Sequence, residues 1–274
     1  MRRPPKKRHP PRNRAAIRAS AVARNPSVTG PPPRHGLARV LSKRGLCSRR
    51  EAVAWIGEGR VSVDGRTVRD PEFPIVQGRQ AISVDGRPID EVARVYLMLN
   101  KPRGLVTTAS DERGRDTVYR CFDGAGLPWI APAGRLDKAS EGLLLFCNDP
   151  EWAACITEPG RGMDKTYRVQ IDTVPGAAVL TALVAGVDVD GERLRASSAT
   201  LLRAGDKNAW LEIELDEGRN RQIRRLLAAL GIGVLRLVRV SIGPVALGDL
   251  AKGAWRGLTS GEVAALDTRP PRHS

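Results

Sequence analysis

One carboxylate is set where it can act. Asp137 lies in the loop Gly134-Arg135-Leu136-Asp137-Lys138-Ala139-Ser140-Glu141, and an apolar run follows from Gly142 to Asn148. A run of that length reads as a strand buried on both faces. The loop therefore holds an anion at the edge of a dry interior, where a charge is either paired or used. Used, it would serve as a nucleophile or a base. The residue-level alternative is that a loop Asp beside a strand makes an Asx turn or a cap.

The other groups narrow the chemistry. The chain has three histidines, His9, His35 and His273, all in or at the edge of the terminal segments. The body therefore lacks the means for Ser-His-Asp or Cys-His catalysis, His-ligated zinc and histidine acid–base work. An enzyme here must rely on carboxylates, Tyr, Lys, Arg or Ser/Thr. No P-loop and no G-x-G-x-x-G follows a strand, so a nucleotide cofactor is unsupported. Four cysteines without a C-x-x-C pair point to reduced, mostly buried thiols in a cytosol.

Charge is uneven. The 274 residues carry a formal net charge of +15, with ten Lys or Arg and no acid in residues 1–35. The remaining 239 residues hold 35 basic and 30 acidic side chains, a net of +5. A polycation joined to a mildly basic body favours polyphosphate partners through counterion release. A membrane surface fits less well, because no apolar face accompanies the charge. No window approaches 18 apolar residues, so no membrane-spanning helix is expected. Residues 1–35 hold eight prolines, which argues against a presequence helix and for a disordered basic tail.

The elements that position Asp137 can be read in outline. Leu37, Val40 and Leu41 are spaced for a short helix stopped by Gly45. Ser48-Arg49-Arg50-Glu51 is a capping box opening a second helix, with Ala52, Val53 and Ile56 as its buried stripe. Val61-Ser62-Val63 alternates and ends in an Asp64-Gly65 hairpin turn, echoed at Asp85-Gly86. Arg39, Lys43, Arg44, Arg49 and Arg50 bracket one turn and form a basic face, or an ordinary solvated one. Residues 91–95 read as a linker. A strand then starts at Val95 and is broken at Asn100-Lys101-Pro102-Arg103-Gly104.

Further on, Tyr167–Ile171, Trp210–Leu215 and Val234–Val240 read as strands, with helices near 151–157, 176–185 and 221–230. The fold class is α+β, a small N-terminal α/β module followed by a domain on a large mixed, mainly antiparallel sheet. The boundaries expected are 36–92 for the module, 95–266 for the larger domain and 267–274 for a disordered end.

Helix geometry suggests a partner for Asp137. Ile223, Leu226, Leu227 and Leu230 form the inward stripe of the 221–230 helix. At 100° per residue Arg224 lies on its shoulder, while Arg221 and Arg225 point away. Arg224 is thus expected to reach Asp137 and favour its ionised form. Tyr167, in an alternating strand, reads first as a cross-strand packer.

Four motifs in order resemble those of the RNA pseudouridine synthases. They are Asn100-Lys101-Pro102-Arg103-Gly104, the stretch 134–149, Lys165-Thr166-Tyr167, and Glu217-Gly218-Arg219-Asn220-Arg221-Gln222-Ile223-Arg224-Arg225. The branch most similar is the RsuA/RluB-like group acting on ribosomal RNA. Residues 36–90 resemble the RNA-binding module of ribosomal protein S-four. Cys147 and Pro150 depart from the Thr and Gly common in relatives, and neither touches the proposed nucleophile.

The resemblance implies conversion of uridine to pseudouridine in ribosomal RNA, with Asp137 as nucleophile or base. It implies that Arg224 pairs with Asp137, and that Tyr167 stacks on the target base and is a candidate to take its proton. Lys101, Arg103, Arg135, Arg219, Arg221 and Arg225 would touch RNA around the site, and Lys43, Arg44, Arg49 and Arg50 would touch it from the module. No metal or other cofactor is called for. A cytoplasmic monomer is expected. The alternatives are a non-catalytic ribosome-assembly factor and a DNA-binding protein, the latter without a helix-turn-helix pattern.

Overall fold

The computed structural model describes residues 34–76, 78–89, 92–109, 111–158 and 163–268. Most of the expected N-terminal tail, and residues 269–274 of the C-terminal one, lie outside the described residues. Arg34 and His35, read as tail, instead belong to strand β1 (Arg34–Gly36), which pairs antiparallel with β4 (Pro74–Val76).

The N-terminal module continues with α1 (Leu37–Lys43), α2 (Arg49–Gly57), β2 (Val61–Val63), β3 (Arg66–Thr67), β5 (Ile82–Val84) and β6 (Arg87–Pro88). Ser48 and Glu51 close the capping box on α2, satisfying two backbone donors that a helix start leaves free. Asp64-Gly65 and Asp85-Gly86 all adopt positive φ. The primed turns they form match the twist of paired strands, giving the antiparallel order β3-β2-β5-β6. Leu37, Val40, Leu41, Ala52, Ile56, Val61, Ile75 and Ile82 make a core of their own. Val53 does not join it and is 45% exposed. Ala52 and Ile56, four apart, define the buried line of α2, and Val53 falls 100° off it.

The larger domain runs through β7 (Tyr96–Lys101), β8 (Ala131–Ala133), β9 (Glu141–Cys147), α3 (Pro150–Thr157), β10 (Lys165–Ile171), α4 (Ala177–Ala185), β11 (Val187–Val189) and β12 (Glu192–Leu194). It ends with β13 (Ser198–Ala204), β14 (Ala209–Leu215), α5 (Gln222–Ala229), β15 (Val234–Ile242), β16 (Val245–Ala246), β17 (Trp255–Gly257) and α6 (Ser260–Ala265). Among the described residues a nine-stranded sheet has the order β13-β14-β10-β15-β9-β7-β17, with β16 on β15 and β8 on β9. Every pair is antiparallel except β9 with β15. β7 runs on through Asn100 and Lys101, beyond the break expected there, because the ladder stops only at Pro102, which has no N–H to donate.

β9 is buried at all seven positions. Its Leu144 and Phe146 enter one core with Ile223, Leu226 and Leu227 of α5. Leu143, Leu145 and Cys147 enter another with Trp152 and Ile156 of α3. Helices on both faces thus explain why this strand has no polar face.

The parallel junction needs a glycine. Gly142 has φ +100°, and a Cβ there would stand 2.8 Å from the Arg239 backbone nitrogen. Gly142→Ala is expected to destabilise the fold by at least about 2 kcal/mol, from left-handed strain and overpacking together. Urea unfolding checks this; an unchanged midpoint would mean that the strands separate freely there.

Candidate active site

Asp137 sits in the loop between β8 and β9, and the loop is held by its backbone. Lys101 Nζ donates to the carbonyls of Asp137, Ser140 and Pro102 at 3.2, 2.9 and 3.1 Å. Gly104 N–H donates to the Lys138 carbonyl at 2.8 Å, and Ser140 N–H to that of Asp137 at 3.0 Å. Thr107 Oγ1 donates to the Leu136 carbonyl at 2.7 Å. These bonds leave the carboxylate of Asp137 unencumbered and 31% exposed.

Lys101 is therefore not at the border of the site touching phosphate, as the motif suggested. It is fully buried beneath the loop. Burial pushes its ammonium down to about 8, against the pull of Asp137, Cys121 and Glu141. The reason is register: Lys101 lies opposite Gly142 in the ladder, level with the start of the motif strand.

The partner of Asp137 also differs from expectation. Arg221 Nη1 lies 3.6 Å from Asp137 Oδ2. Arg224 makes no ion pair with it within 4 Å. Arg221 is the N-cap of α5, with φ 50° and ψ 31°. A helical wheel does not apply to a left-handed cap, so its side chain turns back toward Asp137. Arg224 instead donates from Nη2 to the Ala139 carbonyl at 3.2 Å and from Nη1 to that of Val234 at 3.5 Å. Its Nε is buried without a hydrogen-bond partner. Burial first, then the Arg221 cation, lowers the Arg224 pKa, and Asp137 opposes the shift. Arg224 thus anchors the motif loop by its backbone and adds positive charge near Asp137.

A cleft of about 760 Å³ opens beside Asp137 and is lined by Tyr167, Arg221, Arg224, Leu237 and Arg239. That volume suits one extruded nucleotide-sized group. Tyr167 is 8% exposed and packs in the main core while forming part of the cleft wall. Both readings of this residue therefore hold together. Its direct neighbours across the two ladders are Ile213 and Arg239.

The remaining cations divide into free and occupied. Arg219 pairs with Glu217 and Glu192, each at 2.8 Å, and Arg225 pairs with Glu192 at 2.7 Å. Both were expected to be free for phosphate. Glu192 comes from the distant β11–β12 hairpin, which packs against α5 and brings a carboxylate to them. Lys43 is likewise engaged, 2.6 Å from Glu151 of α3. It clamps the two modules together with Arg94, which donates to the Asn148 and Lys43 carbonyls. Arg44 donates to the Ile89 carbonyl at 3.3 Å. Arg49 lies 3.8 Å from Glu72 with both side chains largely exposed, and Arg39 and Arg50 face solvent. Arg135 is exposed at the cleft and also lines an adjoining groove of about 510 Å³. Arg103 is exposed, with Nη1 3.5 Å from the Leu235 carbonyl.

Sequence reasoning missed Arg239, which lies in the floor of the cleft. An Arg in a strand reads as solvent-facing, yet Arg239 shares its face with the buried Leu237 two positions before it. A bulge between Thr166 and Tyr167 leaves Val240 unpaired, so that Ile242 faces inward as well. Among the described residues no helix is long and apolar enough to cross a membrane.

The chain is similar to known proteins over most of its length. Residues 95–229 match the family model described as RNA pseudouridylate synthase, and residues 36–80 match that of the S4 domain. An RNA pseudouridine synthase of Mycobacterium tuberculosis is 37% identical over 233 residues, covering 84% of this chain and 92% of that one. The ribosomal large subunit pseudouridine synthase B of Bacillus subtilis is 35% identical over 233 residues, covering 84% and 94%. A crystal structure of a pseudouridylate synthase superposes with a TM-score of 0.59 at 32% identity, covering 85% of this chain and all of that one.

Proposed function

The chain belongs to the RNA pseudouridine synthases, enzymes that convert uridine to pseudouridine in RNA, and on that premise we propose that its substrate is ribosomal RNA and that Asp137 performs the first chemical step. The observation that carries this reading is the carboxylate of Asp137, part-exposed at a nucleotide-sized cleft and paired only loosely with Arg221. The similarity to a relative named for the large ribosomal subunit supports ribosomal RNA. The exposed cations Arg39, Arg49 and Arg50 of the S4 domain would dock folded RNA. A cytoplasmic monomer goes with this reading.

The target uridine leaves its stack, which costs a few kcal/mol. Stacking on Tyr167 offsets about 1–3 kcal/mol of that. Asp137 then breaks the glycosidic bond in one of two ways, by attacking C1′ of the ribose or by removing the 2′ proton. The freed base turns, rejoins the sugar through C5 and loses the C5 proton, for which Tyr167 is the proposed acceptor. The isomerisation is redox-neutral, and its steps use this chain's own side chains.

Tritium release from RNA labelled at C5 of uridine tests the substrate. Release is expected from ribosomal RNA of a strain lacking the enzyme, and not from transfer RNA. Release from transfer RNA alone would overturn the ribosomal assignment.

A further inference from the structure

Among the described residues Arg239 is a buried cation without a counter-ion. It is 4% exposed, and its Nε donates to the Leu143 carbonyl at 2.8 Å. Its Nη2 has no hydrogen-bond partner, and among the described residues no carboxylate lies within ion-pair distance of it. A second cation shares its face. Lys165 stands two residues before Tyr167 on β10, hence on the same side of the sheet, and also lines the cleft. Among the described residues its Nζ donates only to the Met163 carbonyl, at 2.6 Å. Burial and then Arg239 hold its ammonium below the ordinary lysine range, opposed by Asp164 and Asp216.

Two cations on a buried floor are costly unless a bound anion answers them. Arg239 pairs with Tyr167 and Leu237 with Val169, so Arg239 shares the inward face, and the Val240 bulge beyond it is of the kind found beside active sites. Depth identifies the anion. Asp137, with its 31% exposed side chain, is at the mouth, whereas Tyr167 and Arg239 are the floor. A nucleotide whose sugar meets Asp137 sends its base, not its phosphate, toward Arg239.

We propose that Arg239, seconded by Lys165, is a catalytic residue that takes up the negative charge of the departing uracil. This rests on the assignment of Asp137 above. As the C1′–N1 bond breaks, its electron pair moves to N1 and spreads over O2 and O4, the acceptors for Arg239. C1′ is satisfied by an Asp137 oxygen, or by a C1′–C2′ double bond when the 2′ proton passes to Asp137, which later returns it. After the base turns, C5 bonds to C1′, the Asp137 oxygen is released, and the C5 proton is lost as N1 gains one.

The test is leaving-group dependence. Single-turnover rates are measured on ribosomal RNA carrying uridine or 5-fluorouridine at the target position, read by nucleoside chromatography as consumption of the starting nucleoside, because C5 of 5-fluorouridine has no proton to lose in the last step. Fluorine stabilises the uracil anion by itself, so a stabilising cation matters less. Arg239→Met is expected to lose about 10²–10³-fold on uridine, and roughly tenfold less on 5-fluorouridine. Lys165→Met is expected to show the same asymmetry with a smaller loss, and Arg239→Lys to recover most of the rate. Equal losses on both substrates would overturn the proposal: with weakened RNA binding they indicate a phosphate contact, and with a lowered urea midpoint a purely structural role. A wild-type enzyme inactive on both RNAs would instead overturn the ribosomal assignment.

Discussion

Asp137→Asn is expected to abolish isomerisation while RNA affinity stays within about threefold. The substitution keeps shape and removes the charge. The loop does not depend on that side chain, because Lys101, Gly104, Thr107 and Arg224 all hold it through backbone carbonyls. The one ion pair lost, 3.6 Å from a half-exposed Arg221, contributes no more than about 1 kcal/mol. An amide neither attacks C1′ nor removes a 2′ proton, so the loss should reach roughly 10³-fold or more. Tritium release in single turnover, filter binding and urea unfolding separate the three quantities. Measurable turnover by the variant would remove Asp137 from its proposed role.

Lys101→Met should be damaging for the opposite reason. Methionine fills a similar volume but donates nothing, so three carbonyls lose their shared donor in a site closed to water. Each unsatisfied group costs about 1–3 kcal/mol, less whatever the site relaxes. A net loss of roughly 3 kcal/mol is expected. Freed of two anchors, the Asp137–Ser140 turn should shift, and a displacement near 1 Å can cost about 10²-fold in rate.

The same substitution has a pH signature. Burial holds the Lys101 pKa at about 8, below the ordinary 10.5 that it regains on unfolding. Between those values the unfolded chain binds more protons than the folded one, so this group's contribution to stability rises with pH across that window. Below about pH 8 the full cost of the buried ammonium is present. The stability difference between wild type and Lys101→Met should therefore grow from pH 8 toward pH 10.5 in urea titrations. A flat difference would mean that the ammonium is better solvated than its burial implies.

Several elements could be read directly from local chemistry. The capping box at Ser48, the Asp-Gly turns, the amphipathic stripe of α5 and the unbroken apolar run of β9 are each decided by residues a few positions apart. Such patterns carry their structure with them, because backbone periodicity and cap geometry act over one or two turns. The isolation of Asp137 in a Gly-bounded loop before β9 belongs to this group. So do the lack of histidine in the larger domain and the clustering of cations in the N-terminal segment.

What charged side chains do was decided elsewhere. Lys101 looks like a surface residue of a turn until the ladder sets it opposite Gly142, inside the protein. Arg221 replaces Arg224 as the partner of Asp137 because a helical wheel ends where the helix does. Arg219 and Arg225 are neutralised by Glu192, about thirty positions away in the chain. Arg239 faces inward because the ladder sets it opposite Tyr167. The sequence by itself determined many of the strands and helices and the place of Asp137 in its loop, since these follow from local pattern. Only the tertiary structure decided which cations are buried, paired or left open to RNA, since long side chains take their partners from sheet register and packing across the whole domain.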